Sequence, residues 1–197
     1  KHHDGFCLWD TKTTENNAML LGPKKDLIKP FVEALRAEGL KVGLYLSYVD
    51  WSYPGFPGIH NRILPRKWPE GTDPAVIEKF NKMIETQLTE LLTNYGKIDI
   101  LWWDAVVPGP APSKELNALA RRLQPDILIN DRADPDPGDF QTSEQHVKAS
   151  KRPWETCMTL TPKAWGYHAG EPFDKSPKKV ADTLLHTAGM GGNLLLN

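Results

Sequence analysis

Two cysteines, almost no net charge and no apolar run approaching the ~20 residues that cross a bilayer are the first things this sequence shows. Cys7 and Cys157 stand 150 positions apart and match no metal-ligand spacing. Each lies in an apolar run, where a thiol serves as a small buried side chain and a disulfide is not expected. The formal net charge is -1, with Lys and Arg scattered among Asp and Glu. No basic stripe exists for a nucleic acid, so a small neutral ligand fits better. No glycine-rich phosphate loop follows any strand-like run, which argues against a dinucleotide. Repeats and low-complexity tracts are missing, and no signal-like stretch precedes the first residue. The chain opens on Lys1 without Met, as a processed or truncated product does, which leaves the compartment illegible.

What is present is an ordinary globular composition: 197 residues, 40% apolar and 25% charged. It predicts one domain over residues 1–197 with a sizeable core. Seventeen prolines and seven tryptophans stand out. The prolines (among them Pro54, Pro57, Pro65, Pro108 and Pro110) fall between periodic segments and mark long loops, while several tryptophans sit at or just after strand-like runs.

The periodicity repeats a helix-then-strand unit. From Asp26 to Leu40 apolar residues recur on one helical face, with Asp26 as cap and Gly39 as stop, and a strand follows from Val42 to Tyr48. Ile77 to Tyr95 is a long amphipathic helix before the strand Ile98 to Trp103. Lys114 to Leu123 precedes Ile127 to Asp131, and Pro177 to Ala188 precedes Asn193 to Leu196; Trp154 to Met158 completes five strands. Near-continuous apolar strands joined by helical crossovers predict an α/β protein with a parallel sheet. A (β/α)8 barrel and a doubly wound sheet both place chemistry at the strand carboxyl ends, so periodicity leaves the topology open.

At those ends lie the candidate groups. Asp104 closes the run Ile98-Asp99-Ile100-Leu101-Trp102-Trp103 and is the best nucleophile candidate, against the blander reading of a turn-capping Asp. Asp99, at the strand entrance, reads as structural. Glycoside hydrolysis needs a second carboxylate, and Glu144, in the expected loop Asp134 to Lys151, competes evenly with Glu155 at the start of the next strand. His2 and His3 tempt a metal assignment, but neighbouring histidines on extended backbone diverge and no third ligand is near, so donors and acceptors for sugar hydroxyls suit them better. Arg132 either positions a carboxylate or pairs with Asp131 or Asp134. Trp51, Trp102, Trp103, Trp165 and Tyr167 are core or apolar platforms for a sugar face.

Taken together, eight segments in order resemble glycoside hydrolase family 29, the α-L-fucosidases. They are Lys1-His2-His3-Asp4-Gly5-Phe6; Gly43-Leu44-Tyr45-Leu46-Ser47 with Asp50-Trp51; Leu101-Trp102-Trp103-Asp104; Asn130-Asp131-Arg132; Gly138-Asp139-Phe140 with Glu144; Trp154-Glu155-Thr156-Cys157; Trp165-Gly166-Tyr167; and Gly192-Asn193-Leu194-Leu195-Leu196-Asn197. The resemblance implies a TIM-type (β/α)8 barrel, of which about strands 4 to 8 are present, and a retaining double displacement on terminal α-L-fucose. It implies Asp104 as nucleophile and Glu144 as acid/base, with His2, His3, Tyr45, Trp102 and Arg132 lining the sugar pocket. It implies no cofactor and no metal, a fucosylated glycan or small fucoside as partner, no nucleic acid and no membrane span; a homo-oligomer stays open. A secreted, periplasmic or lysosomal location is expected. Two departures stand out: Trp103 replaces the usual Phe before the nucleophile, and Ala105-Val106-Val107 replaces the usual glycines after it. The first barrel strands and a β-sandwich lie outside the chain on this reading, which predicts weak or no turnover by the chain alone. A fucose-binding module without turnover, or a metal-dependent hydrolase built on His2, His3 and Asp104, are the competing expectations.

Overall fold

The computed structural model describes residues 1–57, 67–105, 112–162 and 164–197. Pro65, Val106, Val107, Pro108 and Pro110 lie outside them. The described chain forms two compact units, Lys1–Gly138 and Asp139–Asn197. Each holds one three-stranded parallel sheet, so the expected α/β class is present while the described residues close no barrel.

The first unit contains α1 (Ile28–Ala37), β1 (Gly43–Ser47), α2 (Pro74–Thr93), β2 (Ile100–Asp104), α3 (Ser113–Leu123) and β3 (Leu128–Ile129), with strand order β1-β2-β3. Local chemistry sets the helix limits. Asp26 Oδ1 accepts from the amides of Ile28 and Lys29, satisfying two of the first-turn N–H groups, and Gly39 leaves the helix at φ 69. Asp73 caps α2 by accepting from Ala75 N, with Pro74 in the first turn, so this helix starts three residues before the periodic stripe suggests.

Register divides β1 and β2 into two faces. Leu44 opposite Leu101 and Leu46 opposite Trp103 point into a core with Phe80, Ile84, Leu88 and Leu91 of α2. Tyr45 opposite Trp102 and Ser47 opposite Asp104 occupy the other face. A strand alternates its side chains, so an apolar run that packs helices behind it delivers its last carboxylate in front. Asp99 stays structural: its Oδ2 accepts from Val42 N at 2.9 Å.

The second unit contains β4 (Gln141–Glu144), β5 (Trp154–Met158), α4 (Pro177–Gly189) and β6 (Asn193–Leu196), in the order β4-β5-β6. β4 corrects the expectation of a long loop from Asp134 to Lys151: Glu144 ends a strand, and the described residues form six strands where five are expected. Gln-Thr-Ser-Glu has no apolar run, and no helix separates β4 from β5, so both periodic signals fail there. β3 is also shorter than expected, reduced to Leu128–Ile129. Both cysteines are buried thiols, and burial pushes Cys7 up to about 12. Among the described residues no helix is long and apolar enough to cross a membrane.

Candidate active site

The first unit gathers Asp104, Tyr45, Arg132, Trp102, His3 and His2 on the front face of β1 and β2. Asp104 Oδ1 accepts from Arg132 Nη1 at 2.9 Å, and Oδ2 accepts from the Tyr45 hydroxyl at 2.6 Å. His3 Nε2 stands 3.6 Å from the same Oδ2. Donors on both oxygens suit a carboxylate anion held in one rotamer. The side chain keeps 16% of its exposure, so Asp104 is fixed and reachable at once. It lies neither behind the sheet nor cut off from His3.

A row of flat groups runs beside it. His2 stacks on Tyr45 with centroids 5.8 Å apart, Tyr45 stacks on Trp102 at 5.7 Å, and the Arg132 guanidinium lies 4.6 Å from the Trp102 ring centroid. Burial, and then the Asp104 charge, push the Tyr45 hydroxyl far above its ordinary pKa, so it remains a proton donor. Burial also lowers His3 to about 4, helped by His2 and opposed by Asp104. His3 is therefore a neutral imidazole near pH 7, and Ser47 Oγ holds its Nδ1 at 2.6 Å. One nitrogen is engaged by the protein, and the other faces the carboxylate.

The histidines are seated by the loop after β1. Ser47 N donates to Lys1 O and Trp51 N donates to His3 O, which carries strand-like bonding onto the opening segment. Lys1 Nζ pairs with Asp50 Oδ2 at 3.2 Å with both side chains buried; burial lowers the Lys1 ammonium pKa and the Asp50 charge partly restores it. Asp50 Oδ1 takes the amide and hydroxyl of Ser52. Gly5 turns at φ 77 against this cluster, where a Cβ would fall 2.2 Å from Asp50 Oδ1. Lys1, Ser47 and Asp50 carry no assigned role in the sequence reading. Their place in the opening and second family-like segments, and Asp50 directly after Tyr48-Val49, an apolar run ending in a carboxylate, are the signals that point to them.

His2, His3 and Asp104 each offer one ligand atom, all within 4.8 Å of one another. A tetrahedral zinc ion with bonds of roughly 2.0–2.1 Å would need those atoms drawn to about 3.4 Å apart. It would also have to displace Tyr45 and sit beside the Arg132 cation. The donor set suits hydroxyl groups better than a divalent ion.

Glu144 is the exposed last residue of β4, in register with Cys157. Glu155 pairs with Thr142 and Asn193 near the amino end of β5, away from that strand's carboxyl end. Gln145 follows Glu144 at φ 61, as Ala105 follows Asp104 at φ 49. Three described non-glycine residues have positive φ, the third being Lys24, so two of the three directly follow a candidate carboxylate.

Parallel strands backed by helices, with polar groups gathered at their carboxyl ends, define an α/β protein of the kind that binds and acts on ligands at strand ends. A sequence model of the family described as Alpha-L-fucosidase matches residues 1–197. The chain belongs to the α-L-fucosidase family. It is 30% identical to the plasma α-L-fucosidase of Homo sapiens over 100% of this chain and 44% of that protein, and 28% identical to a putative α-L-fucosidase of Caenorhabditis elegans, with 42% of that protein covered. It thus spans less than half the length of these curated relatives. Among solved structures, α-L-fucosidase isoenzyme 1 from Paenibacillus thiaminolyticus matches with TM-score 0.87 at 35% identity, covering 100% of this chain and 52% of that one. A Bacteroides thetaiotaomicron α-L-fucosidase, solved as a trapped covalent intermediate with 2-fluoro-fucosyl fluoride, matches with TM-score 0.85 at 26% identity, covering 100% and 50%.

Proposed function

We propose that this chain carries the reacting groups of a retaining α-L-fucosidase, an exo-acting hydrolase that removes terminal α-L-fucose through a covalent fucosyl-enzyme. The observation that carries the reading is the convergence of Arg132, Tyr45 and His3 on Asp104, a fixed anion in front of the sheet. On this reading residues 1–197 belong to one catalytic domain, an incomplete (β/α)8 barrel of the TIM type.

In the first half-reaction an Asp104 oxygen forms an ester bond to the anomeric carbon as the glycosidic C–O bond breaks, and Glu144 gives its proton to the departing oxygen. In the second half, Glu144 takes a proton from water, the water oxygen bonds to the anomeric carbon, and Asp104 leaves as carboxylate. Two inversions give retention. Tyr45 and Arg132 aim the carboxylate, while His2, His3 and Trp102 receive the hydroxyls and apolar face of the sugar. The position of Glu144 at a strand's carboxyl end, with a left-handed residue after it, supports it over Glu155 as acid/base, since strained backbone gathers at functional sites. Fucosylated glycans or small fucosides are the substrates, and no step calls for a cofactor or metal.

Trapping tests the reading. Incubation of the protein that carries this chain with 2-fluoro-fucosyl fluoride, followed by proteolysis and mass spectrometry, should place one fluorofucosyl adduct on Asp104. An adduct on another residue, or turnover abolished by strong chelation, would overturn the assignment.

A further inference from the structure

β3 is too short to explain the site by strand pairing alone. Its register with β2 runs through Ile100–Leu128 and Leu101–Ile129. The groups that must meet lie further on, Asp104 three residues past Leu101 and Arg132 three past Ile129. Between these pairs and the site stands Asn130, fully buried. Its Oδ1 accepts from Trp103 N at 3.0 Å and its Nδ2 donates to Trp103 O at 2.9 Å. The fixed polarity of the Trp103 peptide dictates which way the carboxamide faces. One side chain thus supplies the two bonds that a further stretch of strand would have made.

The clamp acts on the residue immediately before the proposed nucleophile. Trp103 is held independently, its indole N–H donating to Asn117 Oδ1 at 2.8 Å, and the next carbonyl, that of Asp104, accepts from Tyr48 N at 3.0 Å. Gly138 closes over the other side of Asn130, since a Cβ there would lie 2.3 Å from Asn130 O. Arg132 follows Asn130 by two residues. A buried carboxamide is stabilising only when both of its ends are bonded, and here both bonds go to the peptide that leads into Asp104.

The geometry points to Asn130 as a positioning residue: its carboxamide sets the reach between Asp104 and Arg132, and so the aim of the attacking carboxylate. The clamp is the pair of bonds to Trp103, while its role in turnover rests on the fucosidase reading, and the experiment separates the two. In the protein that carries this chain, Asn130→Asp keeps the volume and the acceptor but loses the donor, and Asn130→Ala loses both. Hydrogen exchange at the Trp103 amide should accelerate at least tenfold in Asn130→Ala while that of Leu101 holds, a readout that needs no turnover. On an aryl α-L-fucoside, kcat of Asn130→Asp should fall roughly thirtyfold with KM within about threefold. In an Arg132→Lys background the added loss from Asn130→Asp should shrink below about threefold, because the two residues act on one contact. Unchanged Trp103 exchange in a folded variant that lacks the acceptor would overturn the clamp. Independent, multiplicative losses, or a rise in KM with kcat held, would overturn the positioning role. A parent protein with neither turnover nor an Asp104 adduct would overturn the fucosidase reading, with the exchange arm still deciding the clamp. If Asn130→Ala does not fold, Asn130→Leu, which keeps the volume and makes neither bond, carries the exchange measurement.

Discussion

β2 and β4 both end on a carboxylate and both hand the chain to a left-handed residue, yet they are built from opposite materials. β2, Ile-Leu-Trp-Trp-Asp, is the central strand of its sheet and is locked by apolar packing behind and hydrogen bonds in front. β4, Gln-Thr-Ser-Glu, is an edge strand with no fully buried residue, held by polar links: Ser143 Oγ with Thr156 Oγ1, Gln145 N to Cys157 O, and Gln145 Nε2 to Thr159 Oγ1. The difference suits the two chemical tasks proposed for Asp104 and Glu144. A nucleophile must hold one position against the anomeric carbon, whereas an acid/base faces the leaving group and then water, and so belongs at an exposed edge.

The largest effect expected from this contrast is at Asp104. Asp104→Gly should lower kcat/KM by about a thousandfold or more, equivalent to roughly 4 kcal/mol of transition-state stabilisation. Azide should restore part of the rate and yield a fucosyl azide whose anomeric configuration is opposite to that from azide rescue at the acid/base. Parental turnover of an activated substrate by Asp104→Gly would end the comparison at once. Next comes Glu144→Ala, which should cost about a hundredfold on substrates with poor leaving groups and little on those with good ones, because only the former need the proton. An equal loss on both kinds would remove Glu144 from the acid/base role.

A smaller effect concerns pH and belongs to the first unit alone. His3 is lowered from its ordinary 6.5 to about 4. As pH falls below 6.5 the unfolded chain binds a proton there that the folded chain refuses, so stability drops down to about pH 4 and levels off below. Between pH 7 and pH 4.5 the parent should lose roughly 2 kcal/mol more than His3→Gln in urea unfolding. Equal losses would show that His3 is not the group responsible. The smallest effect separates the two left-handed residues. Ala105→Gly should be neutral or stabilising by up to about 1 kcal/mol, since glycine relieves the steric penalty there. Gln145→Gly should instead destabilise by about 1 kcal/mol, because the Thr159 bond goes with the side chain. Thermal unfolding of both variants checks the pair.

The same contrast explains what could be read in the sequence. The helices and the apolar strands β1, β2, β5 and β6 announce themselves by period, and Asp104 is legible because an apolar strand must point its last residue somewhere. Periodicity misses β4, whose side chains satisfy one another by hydrogen bonds and need no apolar pattern. From the residues alone Glu144 competes evenly with Glu155, the resemblance selects it, and its strand is visible only in the fold. Ser47, the Lys1–Asp50 pair and the Asn130 clamp follow no local rule either. Each acquires meaning from a partner that the fold brings alongside, up to 49 positions away, and no sequence period records such a pairing.

The opening five residues have one more consequence, in time. The Lys1–Asp50 bond and the snug fit of Gly5 join segments far apart in the chain, so the imidazoles cannot be seated until β1 and its following turn already exist. The Lys1–Asp50 contact spans 49 positions and the pairing of Gly43 with Ile100 joins β1 to a strand still further along, so both are non-local and neither closes by local folding alone. Seating the histidines proposed to receive the sugar is therefore a non-local event like the pairing of β1 with β2, and it depends on the turn after β1 being in place.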